Sequence, residues 1–108
     1  MPLSEDERSL LHTRKNNIEL ITEEIIDLTI NCKKNKKEIL DRMSRIFFNL
    51  KELCAISNNF VIEPELIKFR DEFLRIHEMF SQDERQKIIQ YRIINFCADA
   101  NSVTLKEK

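Results

Sequence analysis

Apolar residues recur along this chain with the period of a helix and are broken by polar stretches into consecutive stripes. The first stripe runs Leu11, Ile18, Ile21, Ile25, Leu28 and Cys32, spaced seven, three, four, three and four residues apart. Those intervals define a heptad seam. Arg14 and Asn17 interrupt its early turns, while Leu10, Ile26 and Ile30 widen it beyond a two-helix seam and toward a bundle. Ser4-x-x-Glu7 forms a capping box ahead of it, and Glu5 and Asp6 suit the positive end of the helix dipole. The predicted first helix is long, about 28 residues or roughly 42 Å at the usual rise.

A second stripe follows: Ile39, Met43, Ile46, Leu50 and Leu53, broadened by Leu40, Phe47 and Cys54. It is out of phase with the first, whose continuation would put core positions at the polar Arg42 and Asn49. The chain therefore turns near Asn35, with Asn35-x-x-Glu38 as a second capping box. The alternative is one continuous helix to Ser57 with a four-residue stutter.

Ser57-Asn58-Asn59 breaks the pattern, and Phe60, Val61 and Ile62 form an apolar linker. Pro64 suits the start of a third helix carrying Leu66, Phe69, Phe73, Ile76 and Phe80. Ser81-x-x-Glu84 reads as a further capping box, opening a fourth helix with Ile88, Ile89, Ile93, Phe96 and Cys97, and with Tyr91 and Ile94 beside them. The predicted fold is all-α: three to four amphipathic helices in an antiparallel bundle with a long, coiled-coil-like first helix. Residues 1–99 form a single helical domain, and 100–108 a polar, frayed tail.

Composition sharpens this picture. The 108 residues contain no glycine and two prolines, Pro2 and Pro64. Without glycine there are no tight hairpins of the usual kind and no glycine-rich phosphate loops. Charged residues make up 34% and apolar ones 42%, yet the net charge is −1, so no global field draws the chain to nucleic acid or an anionic membrane. No apolar run approaches the ~18 residues of a membrane span. The acidic N-terminus lacks the basic region of a signal peptide, and Cys32, Cys54 and Cys97 are widely spaced and odd in number. Together they predict an intracellular, cytoplasmic protein with reduced, buried cysteines.

No catalytic constellation stands out. His12 and His77 have no zinc-type neighbours, and neither is preceded three residues earlier by an acid, those positions being Ser9 and Leu74. A carboxylate-bridged metal site therefore fails on spacing. No enzyme activity, cofactor, metal or small-molecule substrate is expected. The expected function is a non-enzymatic protein–protein interaction module: an adaptor, assembly subunit or regulator, working as a homodimer or within a hetero-complex. The unequal helix lengths leave part of the first helix without an internal partner. Ile18, Ile21, Ile25 and Leu28 are thus the expected intermolecular seam, with Phe48 and Phe60 as added contacts. Ile46, Leu50, Phe69, Phe73 and Ile93 are the expected internal core. The alternative is nucleic-acid or anionic-lipid binding through Lys33, Lys34, Lys36 and Lys37, a basic run without aromatic stacking platforms beside it.

Overall fold

A computed structural model describes residues 3–56 and 63–104. Four helices account for them: α1 (Glu5–Thr29), α2 (Lys36–Ile56), α3 (Glu63–Ser81) and α4 (Gln86–Thr104). The expected linker Phe60–Ile62 and the break at Ser57–Asn59 lie outside the described residues.

Each helix packs on its sequence neighbours, and α4 closes the ring against α1. Cross-helix contacts fix the directions. Arg42 on α2 reaches Glu24 on α1, while Asn49, two turns further along α2, meets Asn17, two turns back. Lys36, at the start of α2, lies over the Phe80 ring at the end of α3. Arg92 reaches Glu72, and Phe96 meets Phe69 edge-on at 5.6 Å. Asn101 donates to the Thr22 hydroxyl, while the Lys33 backbone amide donates to the Gln86 side chain. Every adjacent pair is therefore antiparallel, giving the up-down-up-down bundle that short connections favour.

Local chemistry explains most helix ends. The Ser4 hydroxyl accepts from the Glu7 amide, and the Glu7 carboxylate accepts from the Ser4 amide, so the predicted capping box is present. The Ser4 amide first, and the nearby Ser4 hydroxyl second, hold the Glu7 carboxyl below its ordinary value. The chain does turn after α1. There the Asn35 side chain donates to the Leu28 carbonyl, tying off the end of α1 instead of capping α2 through a box with Glu38. Pro64 sits in the first turn of α3, where no intrahelical N–H is needed.

The Ser81-x-x-Glu84 box is absent. Ser81 is still helical and its hydroxyl donates back to the His77 carbonyl. Asp83 takes the left-handed conformation with φ 53°, its amide bonding Phe80 O while the Glu84 amide bonds Met79 O. This pair of bonds is a Schellman closure, and aspartate supplies the conformation that glycine usually takes.

The core runs the length of the bundle. Leu11, Ile18, Ile25 and Cys32 from α1 and the turn after it meet Ile39, Met43, Ile46, Leu50 and Leu53. Phe69, Ile76, Met79 and Phe80 face Ile89, Ile93, Phe96 and Cys97. The expected core residues Ile46, Leu50, Phe69 and Ile93 are buried, and Phe73 packs half-buried against them. Helix α4 continues past the boundary expected at residue 99. Ala100 and Val103 are buried and the helix ends at Thr104, so the polar tail cannot begin at Ala100.

Candidate interaction surface

The bundle closes over half of the expected intermolecular seam. Ile18 and Ile25 are 0% exposed, enclosed by the protein's own helices, and Ile21 and Leu28 pack half-buried on the core. This corrects the sequence-based expectation. At 25 residues, α1 exceeds α2 (21) and α3 and α4 (19 each) by little, and its apolar stripe is covered within the chain. Aspartate at Ile25 would therefore report on folding and not on assembly.

Among the described residues, ten large apolar side chains remain exposed: Leu10, Leu20, Ile26, Ile30, Phe48, Ile67, Leu74, Ile88, Tyr91 and Ile94. Thr22 marks the α1/α4 contact through its bond to Asn101. From Thr22, steps of four residues lead along α1 to Ile26 and Ile30, drifting outward at about 100° per residue. On α4, a step of seven back from Asn101 reaches Ile94, and Tyr91 follows one turn on. All four are exposed, Ile30 at 75% and Tyr91 at 67%, Ile26 and Ile94 less so at 44% and 38%. The register set by Thr22–Asn101 and Lys33–Gln86 brings the centre of the Ile26/Ile30 pair level with the centre of the Tyr91/Ile94 pair. The result is one apolar strip along the outer α1/α4 face.

Phe48 stands 58% exposed on the outside of α2. The register given by Arg42–Glu24 and Asn17–Asn49 brings it within a turn of Leu20, which is also exposed. That second apolar spot is smaller and sits beside the Arg42–Glu24 and Arg45–Asp41 ion pairs. Phe60 lies outside the described residues.

The basic run is exposed at the end of the bundle where the α1–α2 and α3–α4 turns meet. Lys33 bonds Asp83 at 2.8 Å, which first of all by that hydrogen bond lowers the aspartate's pKa. Lys36 lies 6.0 Å from the centre of the Phe80 ring. Lys34 and Lys37 are exposed, and Arg85 in the α3–α4 turn and Lys87 in the first turn of α4 lie at the same end.

His77 is exposed, and His12 bonds only locally to Asn16. Among the described residues, no three His, Cys, Asp or Glu side chains converge to hold a metal ion. All three cysteines are free, with Cys32 and Cys97 buried and Cys54 half-buried. Burial pushes the Cys97 thiol up to about 12 and raises Cys32 as well. A shallow cleft of about 300 Å³ between α3 and α4 has Phe69 and Phe96 at its base and Glu65, Glu72 and Asp99 around it. Among the described residues, no helix is long and apolar enough to cross a membrane.

The chain matches no known protein-family model, no curated protein and no solved structure. Sequence reasoning had placed Ile26, Ile30, Tyr91 and Ile94 within or beside the core stripes. Their outward turn was legible only as a phase offset from the seams.

Proposed function

We propose that this chain is a non-enzymatic helical interaction module, an adaptor, assembly subunit or regulator that binds a protein through apolar side chains left outside its closed core. One observation carries the reading: Ile26, Ile30, Tyr91 and Ile94 remain partly to largely exposed, at heights matched by the α1/α4 register, on a bundle that already buries its own stripes. Such groups bind by leaving water, and an aromatic flanked by aliphatic residues is a usual interface anchor. Phe48 and Leu20 supply a smaller second contact.

Photo-crosslinking in the source cells tests this. A photoreactive phenylalanine analogue is placed at position 91 or 48, with position 77 as an exposed polar control. The expected result is a discrete adduct from position 91, a weaker one from 48 and none from 77. Equal background labelling from all three positions would refute the reading.

Anion binding through Lys33, Lys34, Lys36 and Lys37 is the second reading. Arg85 and Lys87, brought to the same end by the α3–α4 turn, favour it. Asp83 on Lys33, with Glu84 and Glu38 close in sequence to the cluster, offsets much of that charge, and phosphate binding scales with the charges left free.

A further inference from the structure

We propose that the α1/α4 strip pairs with the same strip on a second copy of this chain, the α1 helices antiparallel about a two-fold axis perpendicular to them. This rests on the interaction-module reading and names its partner. A two-fold interface is self-complementary: each residue meets another of the same patch, related through the axis. The strip meets that condition in both apolarity and charge.

Ile26 and Ile30 are centred at residue 28 of α1, and Tyr91 and Ile94 between residues 92 and 93 of α4. The α1/α4 register brings those two centres to the same height. One axis through that height sets Ile26 of each copy against Ile30 of the other, and Tyr91 of each against Ile94 of the other.

The flanks agree. Glu19 and Glu23, both exposed, lie beyond Ile26, and Lys34, also exposed, lies one turn beyond Ile30. The same axis places Lys34 of each copy between Glu19 and Glu23 of the other. The parallel arrangement, with the axis along the helices, would set Lys34 against Lys87 and is disfavoured by like charge. Lys33 takes no part, because Asp83 already holds it. Asp27, also exposed, lies between Ile26 and Ile30 near the height of the axis, and its like-charged counterpart across the axis is the one charge contact that opposes the pairing.

Light scattering after size-exclusion chromatography, over a concentration series of the purified full chain, provides the test. The expected mass is twice the 13.0 kDa of one chain. Ile30→Asp, at an exposed position, should raise the dimer dissociation constant by tenfold or more with unchanged helicity. Glu23→Lys and Lys34→Glu should each raise it about two- to fivefold at low salt, and the double variant should restore it. A wild-type mass of 13.0 kDa at every concentration overturns the pairing, as does a dimer indifferent to Ile30→Asp. The crosslinking experiment separates the two failures. A monomeric pure protein that yields an adduct with a different protein at position 91 in cells overturns self-pairing and keeps the module reading. No specific adduct at all removes both.

Discussion

Asn49 and Cys97 show what single residues contribute here. Asn49 is buried in α2, where its side-chain carbonyl accepts from Asn17 at 3.4 Å and Arg14 at 3.5 Å, and its amide donates to Arg45 O at 2.7 Å. Arg14 and Asn17, which break the first seam in the sequence, thus face the one polar position they can use. The Arg14 Nε remains buried without a hydrogen-bond partner. Asn49→Ala would leave two more donors poorly paired and should lower the unfolding free energy by about 1–2 kcal/mol in urea titration, the long bonds setting the low end of the usual range. Cys97 gives a pH prediction. Its thiol stays protonated in the folded state up to about 12, while the unfolded chain ionises from 9.0. Above pH 9 the unfolded state therefore binds fewer protons than the folded one, and stability falls progressively between those values. Cys97→Ala should flatten that part of the stability–pH curve. A thiol-alkylating reagent at neutral pH should modify the half-buried Cys54 first, with Cys32 and Cys97 following only as the bundle opens.

At the scale of elements, helix ends decide the topology. The α3–α4 turn depends on Asp83 at φ 53°, a conformation that a β-branched side chain resists. Asp83→Val should destabilise the protein by about 1–2 kcal/mol, and Asp83→Asn should be better tolerated, because asparagine accepts the left-handed region. Chemical denaturation of the two variants side by side checks this, and equal midpoints would show that the turn imposes no backbone demand. The capping box was legible at Ser4 because the motif stood immediately ahead of a long apolar stripe. The same motif at Ser81 misled, because Phe80 and Met79 still bury against the core and hold the helix through Ser81. Likewise Asn35 was readable as a turn residue, but its use on the Leu28 carbonyl depends on how the chain folds back.

Across the whole molecule, burial separates residues of equal chemistry. Ile25 and Ile93 are enclosed, and Ile26 and Ile94 one position along stand in solvent. Ile25→Ala and Ile93→Ala should each cost about 2–5 kcal/mol, whereas Ile26→Ala and Ile94→Ala should change stability far less and act on association instead. Thermal melting of the four variants, read with their solution masses, checks that split. The charge distribution makes a separate prediction. Titration against mixed oligonucleotides and anionic vesicles should give flat baselines at both low and moderate salt. Binding that weakens steeply with salt would favour the Lys33–Lys37 reading.

Helical periodicity, the Ser4 cap and the phase break near Asn35 were properties of the amino-acid order, because each depends on groups within a few residues of one another. They established an all-α chain, its segmentation and nearly all of its core. Tertiary packing decided which parts of each apolar stripe turned inward. A stripe spans an arc of helix surface, and only the neighbouring helices determine how much of that arc they cover. Hence Ile18 and Ile25 closed into the core, Ala100 and Val103 joined it beyond the expected end, and Ile26, Ile30, Tyr91 and Ile94, distant in sequence, were left exposed along neighbouring helices.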